Sequence, residues 1–123
     1  MSLPKDTAVW FEIPVTNLGN ARDFYQNVLQ VTLIEQEMGP GSIMMFPVKD
    51  METGVSGHLY QGKPGNDNGP TIHLGAPAPL EDSLERVVAS GGEIISEEVK
   101  IPGGRFVYCK DPDGNSISLF NKD

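Results

Sequence analysis

The chain has 123 residues, with 9 basic against 17 acidic side chains, a formal net charge of −8 and 38% hydrophobic content. That length suits one domain, or two small halves sharing a core. The acidic balance argues against nucleic acid and anionic membrane as partners, and no apolar run approaches the ~20 residues of a membrane span. The stretch from Met1 to Asp6 lacks a charged segment followed by an apolar one, so no secretory signal is expected. Cys109 is the one cysteine, which leaves no intrachain disulfide and makes a reducing cytoplasm the expected location.

In chain order, Ala8 to Val15 alternates as a strand, with Phe11, Ile13 and Val15 on one face and Trp10, Glu12 and Pro14 on the other. Thr16 or Asn17 caps a helix over Ala21 to Leu29, whose stripe is Ala21, Phe24, Tyr25 and Val28. Strands follow at Val31 to Gln36, Ser42 to Val48 and Val55 to Tyr60, separated by turns at Gly39–Pro40–Gly41 and Glu52 to Gly54. Gly62 to Gly69 reads as a linker. The same order then recurs. Thr71 to Gly75 is a strand, and Leu80 to Ala89 is a helix ended by Gly91–Gly92. Glu93 to Glu98, Arg105 to Lys110 and Ser116 to Phe120 are strands. Asp111–Pro112–Asp113–Gly114 is the turn of the last hairpin: Pro presets φ, Asp bonds backbone N–H groups, and Gly accepts positive φ. In the last strand Ile117 and Leu119 point one way and Ser116, Ser118 and Phe120 the other.

Phe11–Glu12–Ile13–Pro14–Val15, Phe24–Tyr25 on a helix, Gly91–Gly92 after a second helix, and then Asp-Pro-Asp-Gly form an order that resembles the glyoxalase/bleomycin-resistance/dioxygenase (vicinal oxygen chelate) superfamily. The resemblance covers nearly the whole chain. It implies an α+β fold of two paired βαβββ modules, about 7–61 and 70–121, whose curved mixed sheet encloses a cavity. It also implies pairing of modules within a chain or across a homodimer; a homodimer is expected.

Enzymes of that superfamily hold a divalent metal with His and Glu. Counted from Phe24–Tyr25, the first such position falls on Trp10, the second on Gly57, the third on Thr71 or Ile72, and the fourth on Ser118. None is a His or Glu, so no metal site and no catalytic residue is assigned. Glu12 lies two residues beyond Trp10 and His73 two beyond Thr71, on the same strand faces. If a pseudo-twofold relates the modules, the two are equivalent and face one cavity together. Each has a plainer use: Glu12 can bind a backbone N–H or Arg105, and a strand His is more often a satisfied structural group than a ligand. Alternation from Gly57 sends His58 to the outer or helix-facing side. Arg105 is expected in a surface ion pair, and Cys109 buried and inert. Met45 and Phe46 are assigned to core, Trp10 and Phe120 to the pocket.

The expected ligand-binding set is Trp10, Glu12, Thr71, His73, Ser118 and Phe120, taking a small apolar or aromatic molecule without cofactor, as the drug-sequestering relatives do. Two alternatives stand beside it. One is a divalent-metal lyase or dioxygenase with a site around Glu12 and His73; the other is a non-catalytic dimerisation domain.

Overall fold

The structure, a computed structural model, describes residues 3, 5–39, 41–65 and 69–123. Asn17 has extended backbone, and its Oδ1 accepts the Asn20 N–H at 2.8 Å. Helix α1 (Leu18–Leu29) therefore starts ahead of its apolar stripe, the cap rather than the stripe setting the boundary. Gln30 closes it in the left-handed region, with φ 57. Helix α2 (Leu80–Ala89) has the expected bounds, with Glu81 and Asp82 in its first turn and Arg86 in its last, each suited to the helix dipole.

Nine strands follow the chain among the described residues: β1 (Trp10–Val15), β2 (Ile34–Met38), β3 (Gly41–Met45), β4 (Ser56–Gln61), β5 (Ile72–Gly75), β6 (Glu93–Ile94), β7 (Val99–Ile101), β8 (Gly104–Lys110) and β9 (Ser116–Lys122). The first sheet has the order β1-β4-β3-β2, with β1 parallel to β4. The second has β5-β9-β8-β6, with β7 also on β8 and β5 parallel to β9. The two paths match, so the duplicated element order is a duplicated topology, α+β with two mixed sheets of four and five strands. The turn expected at Gly39–Pro40–Gly41 and the middle of the Gly62–Gly69 linker lie partly outside the described residues.

One expected strand is broken. Glu93 to Glu98 is not continuous: Ile94 faces Cys109 and Val99 faces Phe106, so five steps on one side answer three on the other. The Tyr108 N–H at the break donates to Ser96 Oγ at 3.0 Å.

Period-2 alternation places Ile13, Val15 and Leu59 of the first sheet, and Leu74, Ile117 and Leu119 of the second, in one buried cluster with Phe24, Tyr25 and Val87 from the helices. The core is thus shared by both modules. A clasp of polar groups adds to it. Asp111 accepts four hydrogen bonds: Oδ1 from the N–H groups of Asp113 and Asn115, Oδ2 from the Tyr25 hydroxyl and Asn115 Nδ2. Asn115 Nδ2 also reaches the Pro14 carbonyl at 2.8 Å, and Thr16 Oγ1 donates to Asp113 Oδ1 at 2.6 Å. Gly114 sits at φ 89, the conformation that completes this turn at no steric cost. The turn of the second module therefore grips the strand and helix of the first.

Candidate functional site

The site is built on the sheet faces opposite the shared core. In the first sheet, Trp10 stands opposite Ser56, Glu12 opposite His58 and Pro14 opposite Tyr60. Residues paired across strands share a face, so these six lie together. This corrects two expectations. The residue opposite Trp10 is Ser56, not Gly57. His58 does not face outward or toward the helix; it shares the face of Trp10 and Glu12. Gly57 pairs with Phe11 on the helix side, where a Cβ would lie 2.4 Å from the Phe11 carbonyl oxygen. Its glycine is a packing requirement.

His58 is 3% exposed and held at both ring nitrogens. Trp10 Nε1–H donates to Nδ1 at 2.9 Å, and Nε2 lies 3.1 Å from Glu12 Oε1. An indole nitrogen only donates, so Nδ1 accepts and the ring proton sits on Nε2, facing the carboxylate. The contact is a hydrogen bond from a neutral imidazole, not an ion pair. The Trp10 and Tyr60 rings flank the imidazole, with centroids 6.0 and 6.3 Å from it. Glu12 is 60% exposed in its side chain.

In the second sheet, His73 stands opposite Ser118, which stands opposite Tyr108; Phe106 and Phe120 form the next pair on that face. His73, Phe106 and Tyr108 meet edge to face, with centroids 4.9, 5.2 and 5.9 Å apart. Ser118 is 0% exposed, and its Oγ is the one buried side-chain polar atom among the described residues without a hydrogen-bond partner. Thr71 pairs its hydroxyl with Ser116 at 2.5 Å.

Glu12 and His73 are not brought together. Glu12 lines a cavity of about 180 Å³ with Pro14, Pro70, Ile72 and Ser116, at the seam between the modules. His73 lines another, of about 220 Å³, with Phe11, Phe46, Ser56 and Gly75. The expected pair fails because the imidazole beside Glu12 comes from its own module, from β4, and not from the equivalent strand of the other. Among the described residues, no group of three or more His, Cys, Asp and Glu side chains is placed to hold a metal ion.

The remaining candidates have structural partners. Arg105 donates to Glu81 and Glu98, and the Glu81 carboxyl is drawn down to about 2, chiefly by that hydrogen bond. Cys109 is buried, and burial pushes its thiol up to about 11. Phe46 is core, whereas Met45 is half-buried. Tyr60 was not singled out by sequence; its place opposite Pro14 depends on the register of β1 against β4.

The sequence matches the family model Glyoxalase/Bleomycin resistance protein/Dioxygenase superfamily over residues 7–119. The chain belongs to that superfamily. Solved structures of similar fold include a glyoxalase/bleomycin resistance protein from Albidiferax ferrireducens, 18% identical with a TM-score of 0.71, the match covering 96% of this chain and 100% of that one. Another is TnmS3, an antibiotic-binding protein from a Streptomyces species, 21% identical at 0.67, covering 99% and 100%. A third is the fosfomycin resistance protein FosX from Listeria monocytogenes, 17% identical at 0.69, covering 99% and 94%. No match is found among curated proteins. Within the superfamily, the open sheet faces of this member carry an imidazole committed to its neighbours and an aromatic trio over an unpaired hydroxyl.

Proposed function

We propose that this superfamily member binds a small apolar or aromatic molecule without a metal. The carrying observation is the Trp10–His58–Glu12 chain of hydrogen bonds. A metal-ligating imidazole needs a free ring nitrogen, and neither nitrogen of His58 is free. The second imidazole, His73, forms no ion pair and belongs to no cluster of three or more His, Cys, Asp and Glu side chains among the described residues. These residues do not fit a divalent ion, and no step through one is derived. The assigned contacts form two groups, Trp10 and Glu12 with Tyr60 over His58 on the first sheet, and Thr71, His73, Ser118 and Phe120 at the second. Partly exposed Trp10 and Tyr108 supply aromatic surface on both sheets. The antibiotic-binding and fosfomycin-resistance proteins of the same fold support a ligand of drug size. The protein acts as a cytoplasmic homodimer, without nucleic-acid or membrane partners. Among the described residues no helix is long and apolar enough to cross a membrane.

The test uses Trp10, the one tryptophan, as reporter. Titration with 1-naphthol quenches its emission saturably, and elemental analysis of protein purified without chelator finds no stoichiometric transition metal. Linear, non-saturating quenching, or near-stoichiometric zinc, nickel, manganese or iron, overturns the reading.

A further inference from the structure

The environment of Glu12 points to the charge of the ligand. Its Oε1 takes one hydrogen bond, from His58 Nε2–H, while Oε2 has no partner among the described residues. No salt bridge joins it to a Lys or Arg among those residues, and the His58 ring beside it is neutral in this tautomer. The negative charge is held in place and, among the described residues, has no cationic partner. The imidazole beneath it is 3% exposed and fixed from the other end by Trp10, so the carboxylate rests on a rigid base. Trp10 stands one pleat before Glu12 on this face and Tyr60 one pleat after it, on the neighbouring strand. A carboxylate between two electron-rich rings is the chemistry that recognises an organic ammonium group, through Coulomb attraction and the negative faces of the rings. The adjoining cavity adds apolar surface from Ile13, Pro14, Pro70 and Ile72 for an attached hydrocarbon body. The overall charge of −8 favours a cation on approach.

We infer that the Trp10–Glu12–Tyr60 face is a binding site for an organic ammonium with an apolar body. This rests on the small-molecule reading above and names the class of molecule. His58 is the positioning residue, holding the carboxylate through its Nε2–H. Neutral ligands fill the apolar part of the site and make no ion pair with Glu12.

Calorimetric titration of the whole chain with benzyltrimethylammonium and with benzyl alcohol tests this at low salt. The wild type takes the cation about ten-fold tighter or more, as a salt-sensitive carboxylate contact plus a cation–π contact allows. Glu12→Gln, at an exposed position, weakens the cation more than benzyl alcohol, so that preference is lost. Glu35→Gln, which removes an exposed carboxylate facing the other side of the sheet opposite Met44, leaves the preference intact. Equal affinity for the two probes in the wild type overturns the inference and leaves the small-molecule reading standing. So does a preference that survives Glu12→Gln or falls equally with Glu35→Gln. Failure of both probes to bind overturns the two together.

Discussion

The Tyr25 hydroxyl donates to Asp111 Oδ2 at 2.7 Å, between residues 86 positions apart in sequence. Both partners are buried, one on the helix of the first module and the other at the turn of the second. Tyr25→Phe leaves the carboxylate short of one of its four donors. Loss of a buried hydrogen bond to a charged group costs about 1.5–3 kcal/mol. Urea denaturation of the variant gives a correspondingly lower midpoint with an unchanged slope; an unchanged midpoint refutes the clasp.

Alkaline pH attacks the core through two groups. Burial lifts the Cys109 thiol from 9.0 to about 11, and burial, then the Asp111 carboxylate, lifts the Tyr25 hydroxyl well above 10.0. A raised folded value means the folded state holds its proton more tightly. The stabilisation is complete below the unfolded value and is lost as pH climbs through the folded one. The melting temperature therefore falls progressively above pH 9, and Cys109→Ala flattens the first part of that fall. At pH 8 the thiol reacts with a disulfide reagent only after denaturant is added.

Acid acts at the surface and weakly. Arg105 lowers Glu81 from 4.5 to about 2. The contribution of this pair is present above the ordinary carboxylate value and is lost as pH falls toward 2. Both groups meet solvent, so Arg105→Ala shifts the melting temperature slightly, and less in high salt than in low. A large, salt-independent loss contradicts this placement.

His58 has a spectroscopic signature. Long-range nitrogen–proton correlation shows the Nε2–H tautomer, with Nδ1 as the acceptor nitrogen. Trp10→Phe removes the N–H that Nδ1 accepts, while the Glu12 carboxylate still holds the proton on Nε2, so the Nε2–H tautomer persists and the Nδ1 resonance moves as its hydrogen bond is lost. A wild-type ring protonated on Nδ1 breaks the chain from Trp10 to Glu12.

Ser118 is a place where stability is given up. An unpaired buried hydroxyl costs about 1–3 kcal/mol. Ser118→Ala therefore melts no lower than the wild type and most simply higher. A lower melting temperature shows that the hydroxyl is satisfied in solution.

The helices, the duplicated strand order and the Asp-Pro-Asp-Gly turn were readable because each is a local signal: a cap, a period or a fixed φ. Asn17 could be read as a cap; that Asp111 would serve Tyr25 could not, because nothing local encodes a contact at that separation. His58 shows the same limit within one sheet. Alternation along β4 was read correctly, but the reference point was Gly57 instead of Ser56, and a slip of one residue turns every side chain to the opposite face. Only the pairing of β1 with β4 fixes that reference. The break between β6 and β7 escaped notice for a related reason: Ile95–Ser96–Glu97–Glu98 is unremarkable as a strand, and its two surplus steps exist only relative to β8.

The grip of Asp111 and Asn115 on Tyr25 and Pro14, together with a core drawn from both halves, makes the tether at Gly62–Gly69 dispensable for cohesion. A chain cleaved there is expected to behave as two fragments that seek each other, and the two pieces, made separately, to reconstitute the parent on mixing. Each fragment alone leaves its half of the shared core exposed.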